Sequence, residues 1–156
     1  MNWDAIGAIG EVVGAIAVFI SLIYLATQVR TQNRESRLTA VHEIQVAFRE
    51  SYQAFTVGNL AEVFQKGEED WSSLTLAETI RLLGGLLPML RLWEEAFIQH
   101  EQGRLEARIW EGIDGQFSSY LSYKVVAKAW DLRGLYFDRK FQDHVNGLES
   151  LELRTK

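Results

Sequence analysis

The chain has 156 residues, enough for one domain with a real core and too few for two comfortable ones. Hydrophobic residues make up 47% and charged residues 24%, which excludes disorder, and zero cysteines exclude disulfides, thiolate metal sites and cysteine nucleophiles. A net charge of −5 speaks against a nucleic-acid partner, and the single proline, Pro88, points to long helices.

The first element is the most informative. Ala5 to Thr27 reads AIGAIGEVVGAIAVFISLIYLAT and contains one charge, Glu11. As a helix it is about 35 Å long, enough to cross a hydrocarbon core of about 30 Å with some tilt. Its eleven Ile, Val, Leu and Phe residues favour insertion by about 3–7 kcal/mol, against about 3 kcal/mol for one acidic residue at mid-membrane. The opening MNWDAIG lacks the basic start of a cleaved signal peptide, and Asp4 and Glu11 do not suit a mitochondrial presequence. A buried helix of a soluble protein is the third competing reading, but such helices usually have fewer consecutive apolar residues. A retained transmembrane helix is therefore expected over 1–30. Arg30, Arg34 and Arg37 follow it, so the positive-inside rule places the amino terminus outside and the rest in the cytoplasm. Trp3 and Tyr24 suit the two interfaces, and the three arginines suit anionic headgroups.

At 100° per residue the small and polar residues of this helix gather on one side: Gly7, Gly10, Gly14, Ala17, Ser21 and Gln28, with Glu11 at the margin. The other side carries Ile9, Val12, Val13, Ile16, Phe19, Ile20 and Ile23. Gly10 and Gly14 form a GxxxG pair, and close packing of small residues drives helix association in lipid. The expected interface of a homo-oligomer is therefore Gly7, Gly10, Gly14, Ala17 and Ser21. The competing reading is a lone anchor whose glycines reflect the ordinary glycine content of membrane helices. Glu11, Ser21 and Gln28 would line an ion pathway if the copies enclose an axial pore. The plainer reading of Glu11 is a carboxyl hydrogen-bonded to a neighbouring helix or reaching the headgroups.

Residues 31–156 read as a cytoplasmic helical domain. Leu38, Val41, Ile44, Phe48, Tyr52 and Phe55 recur at helical spacing without a break after the apolar run, up to Gly58-Asn59. A short helix around Leu60, Val63 and Phe64 is expected to stop at Lys66-Gly67, with Glu68, Glu69 and Asp70 as solvated loop. Thr75 and Glu78 form a capping-box pattern. The helix they begin contains Gly84, Gly85 and Pro88, which predict a kink or break, and Gly103 ends it. Leu105 to Leu121 marks another helix, in which the GIDG at 112–115 suggests flexibility or close packing. Val125 to Trp130 follows, Gly134 interrupts, and Asp138 caps a final helix carrying Phe141, Val145 and Leu148. No strand or repeat is evident.

Chemical motifs are absent. His42, His100 and His144 have no partner at metal-ligand spacing, and there is no Walker loop, dinucleotide turn or nucleophile elbow. No catalytic, cofactor or metal residue is assigned. Glu94 and Glu95 occupy adjacent helical positions, one of them expected in solvent.

The opening W-x-A-I-G-A-I-G-E-V-V-G-A-I-A-V, running into S-L-I-Y-L-A-x-Q-V-R, resembles a widespread group of small uncharacterised bacterial proteins. Those begin with one membrane segment and continue as a helical domain. Trp93 to Phe97, Gln99-His100, Gly103, Trp130, Phe137 and Phe141 are similar landmarks. The resemblance implies a bacterial inner-membrane location and brings no activity with it. The expectation is an all-α, non-enzymatic interaction or regulatory module in contact with membrane lipid, self-assembling and open to an unidentified protein partner. A homo-oligomeric cation pore with a Glu11 ring is the alternative.

Overall fold

A computed structural model describes residues 3–56 and 58–152, with side chains for 10–53 and 58–148. It is all-α, with no strand among the described residues. Six helices follow one another: α1 (Trp3–Thr56), α2 (Leu60–Glu69), α3 (Leu76–Glu101), α4 (Ala107–Tyr120), α5 (Lys124–Arg133) and α6 (Arg139–Glu152), with 3-10 turns at Trp71–Ser73 and Gly134–Tyr136. The chain divides into two compact units, Met1–Thr39 and Ala40–Lys156.

In the first unit, α1 is a helix long and apolar enough to cross a membrane. Every side chain described from Gly10 to Thr39 is exposed. The apolar run ends near residue 30, whereas from Gly10 onward the first buried residue of α1 is Ala40. α1 runs unbroken through both positions to Thr56, and Gly58 then takes φ +79°, a left-handed geometry that ends helices at low cost.

The second unit is built around α3. Its start is the expected capping box: the Glu78 N–H donates to the Thr75 hydroxyl while the Thr75 N–H donates to the Glu78 carboxylate, at 3.3 and 2.7 Å. Leu82, Leu86, Leu90, Trp93 and Ala96 are almost wholly buried and line the core side of this helix. Around them pack Ile44 of α1, Leu60 and Val63 of α2, Phe117 of α4, Val125 and Trp130 of α5, and Phe141 and Val145 of α6.

Three sequence expectations change here. Of the kink or break predicted around Gly84, Gly85 and Pro88, the break does not occur: α3 is one helix from Leu76 to Glu101. Proline inside a helix costs about 3 kcal/mol. Burying several large apolar side chains, at about 1.5–3 kcal/mol each, outweighs that. Gly85 has a packing reason, since a Cβ there would sit 2.6 Å from a Leu60 methyl carbon. α2 does not stop at Lys66-Gly67: Gly67 is buried inside it, where a Cβ would meet Val125, Leu74 and Leu82. Consequently Glu68 and Glu69 belong to the helix, and Glu68 is half-buried rather than solvated loop. Its two carboxylate oxygens accept the backbone N–H groups of Lys124 and Val125, both at 3.1 Å, and so cap α5 from a distant part of the chain. In the GIDG stretch, Gly112 and Gly115 face open space, so close packing is not their role.

Candidate functional site

Two places merit consideration, the apolar half of α1 and a polar cluster within the helical unit. On α1, Gly10, Gly14, Ala17, Ser21 and Gln28 lie on one side, all exposed, with Glu11 beside them. Gly7 and Trp3 lie in α1, but their side-chain surroundings are outside what the structure describes. Neither Gly10 nor Gly14 has an atom within 4 Å of the place a Cβ would occupy, so both leave open backbone surface.

The polar groups of this segment are largely satisfied by the helix itself. The Ser21 hydroxyl donates to the Ala17 carbonyl at 2.9 Å, and the Thr27 hydroxyl to the Tyr24 carbonyl at 2.7 Å. Gln28 Nε2 donates to the Tyr24 hydroxyl at 2.8 Å. Such internal bonds suit a solvent that offers none. Glu11 makes no hydrogen bond or ion pair among the described residues. Arg30, Arg34 and Arg37 are exposed, as is Tyr24.

The second cluster centres on Asp114, in the middle of α4. Its Oδ1 accepts from Trp93 Nε1 at 2.9 Å and lies 2.7 Å from His144 Nε2. One carboxylate oxygen thus joins α3, α4 and α6. Aromatic rings surround the pair: His144 lies against Trp93, Phe97 and Trp110, and His100 stacks on Trp110 with ring centroids 5.4 Å apart. A histidine oriented by a carboxylate is two-thirds of a hydrolytic triad, but among the described residues no hydroxyl bonds to His144. The geometry is that of a tie between helices. Among the described residues no three His, Asp or Glu side chains converge as a metal site would require.

Elsewhere Glu94 is buried while Glu95 is exposed, the asymmetry expected of neighbouring helical positions. Glu94 receives Arg91 at 2.6 Å and the backbone N–H of Asp138, linking α3 to the start of α6. Asp138 in turn accepts the N–H groups of Lys140 and Phe141, the expected cap. Two apolar grooves flank the end of α1, one beside Ile44, Phe48 and Ile113, the other beside Tyr52, Phe64 and Tyr123. Their volumes, about 220 and 280 Å³, fall short of the roughly 300–1,000 Å³ of small-molecule sites.

Asp114 and its contacts escaped the sequence reading. The only local signal is a second acidic residue, Asp114, three positions after Glu111 and beside Gly115 in an otherwise amphipathic helix. No family model, curated protein or solved structure matches the chain.

Proposed function

We propose that this protein is a membrane-anchored, non-enzymatic interaction module of the bacterial inner membrane, which self-assembles through the small-residue side of α1. One observation carries the anchoring: a helix with mean hydropathy 2.2 over its most apolar window, none of it buried. Phe19 and Ile20 are 65% and 61% exposed, amid a contiguous apolar surface that water does not tolerate and lipid does. The self-bonded hydroxyls of Ser21 and Thr27 support the same reading.

Self-assembly is supported by the open backbone at Gly10 and Gly14, where a second helix can approach closely. The three arginines after the apolar run favour a cytoplasmic location for the helical unit.

The test is the mass of the detergent-purified particle. The native chain is expected to run as an oligomer, and the double replacement Gly10→Leu, Gly14→Leu to lower its mass. An unchanged mass in the variant overturns the packing side.

A second reading, a cation pathway through a ring of Glu11 carboxylates, has one observation in its favour: Glu11 has no hydrogen-bonding or ionic partner among the described residues. An acidic ring is one established way to select cations. Reconstituted protein that conducts, and loses conduction in Glu11→Gln, would establish it; an assembled particle without conductance would dismiss it.

A further inference from the structure

The 3-10 turn between α5 and α6 exposes large apolar side chains at a place where the backbone is firmly held. Leu135 and Tyr136 are 66% and 63% exposed, and Leu132 just before them is 39% exposed. The backbone beneath is pinned from several sides. The Arg91 guanidinium donates to the Tyr136 carbonyl at 2.9 Å and lies 3.9 Å above the Phe137 ring. Phe137 itself is buried against Trp130, and the Asp138 N–H donates to the buried Glu94 carboxylate. A Cβ on Gly134 would press on the Trp130 ring at 3.0 Å, so the turn sits tight against the core. Leu135 and Tyr136 are therefore presented outward by a rigid support. Surface apolar residues scattered singly need no explanation, but two adjacent ones on a fixed turn, with Leu132 in the last turn of α5 before them, do.

The surrounding charge indicates what covers them. From Lys124 to Lys140 there are five basic and two acidic residues, a net charge of +3 in a chain whose total is −5. Lys128, Arg133 and Arg139 are exposed, while Lys140, also exposed, pairs with Glu101 at 3.1 Å. Apolar side chains beside basic ones suit the headgroup level of an anionic bilayer, where leucine enters the acyl boundary, tyrosine holds the interface and cations meet phosphate.

We infer that the 132–140 turn is a second membrane contact, in which Leu135 and Tyr136 enter the interface of an anionic leaflet and Arg133 and Arg139 bind its headgroups. This rests on the reading of α1 as a membrane span. A tether of that kind raises the local concentration of lipid surface, so a contact too weak to bind by itself becomes occupied.

The absence of cysteine makes the test clean. Full-length protein carrying Leu135→Cys, Phe19→Cys or Ile80→Cys, each labelled with an environment-sensitive fluorophore, is reconstituted in phosphatidylglycerol-containing or pure phosphatidylcholine vesicles. The Phe19 label reports the span and is expected to be blue-shifted in both. The Leu135 label is expected to be blue-shifted and quenched by brominated lipid in the anionic vesicles. That signal should be lost in phosphatidylcholine, in about 1 M salt where the Debye length is about 3 Å, and in the Arg133→Glu, Arg139→Glu double variant. The exposed Ile80 label should stay water-like throughout. A water-like Leu135 label beside a blue-shifted Phe19 label overturns this contact and leaves the span intact. A water-like Phe19 label overturns the span instead. A Leu135 label that is blue-shifted but not quenched by brominated lipid in the anionic vesicles also overturns the contact, assigning the turn to protein.

Discussion

At the residue scale, two carboxylates show how differently the same chemical group can serve. Asp114 is a shared acceptor among rings, and its removal leaves the Trp93 indole N–H with no partner in a part-buried setting. Asp114→Ala should therefore cost about 1–3 kcal/mol, read as a lower guanidinium midpoint by tryptophan fluorescence in detergent. Asp114→Asn, which keeps an oxygen acceptor, should cost less. Equal midpoints for both variants and the native chain would remove the tie from the account. Glu78 is an ionised cap. Lys66 at 2.9 Å, then the Thr75 N–H and hydroxyl, hold its pKa at about 2 against an ordinary 4.5. Because the folded form binds this proton more weakly than the unfolded chain, the stabilisation is fully present above about pH 4.5. It fades as pH falls towards about 2. Glu78→Gln should flatten the acid limb of a stability–pH profile over that window, with little change in its shape at neutral pH.

At the element scale, the two glycine classes of the helical unit predict opposite signs. A Cβ on Gly67 would lie 2.9 Å from Val125 and 3.1 Å from Leu74, and the β-branched valine has little freedom to give way. Overpacking costs about 1–3 kcal/mol, so Gly67→Ala is expected to destabilise despite alanine's better helix propensity. Gly115 has open space around it, and Gly115→Ala should stabilise by about 0.5–1 kcal/mol. Chemical denaturation of the two variants under identical conditions checks both signs. The same scale shows what the sequence made legible. The Thr75–Glu78 box, the Asp138 cap and the stops at Gly58 and Gly103 are signals within a few residues, and they were readable. The extent of α2 is not legible locally, because Gly67 looks like a stop from its neighbours alone. Only its contacts with α3 and α5 reveal a glycine demanded by packing. Pro88 is the same case for the break it suggests: its local cost is visible in the sequence, but the burial that offsets it is not.

At the scale of the whole molecule, the apolar amino-terminal run was legible because hydrophobicity over about twenty residues needs no tertiary information. The Asp114–His144 tie was not, since its members stand 30 residues apart and neither sits in a recognisable motif. The core of the second unit draws its buried residues from Ile44 onward. Removing residues 1–39 should therefore leave a helical protein that is soluble without detergent and keeps its near-ultraviolet circular dichroism. Aggregation of that fragment, or loss of the aromatic signal, would show that the first unit contributes to folding.

The carboxylate of Glu68 has a consequence for the order of events during synthesis. Its donors at Lys124 and Val125 are made 56 and 57 residues later. A chain emerging from the ribosome therefore holds the acceptor ready before the segment that needs it appears. The fifth helix can begin on a counter-charge already waiting, whereas a circularly permuted chain that made residue 124 first would leave that start bare until the acidic side chain arrived.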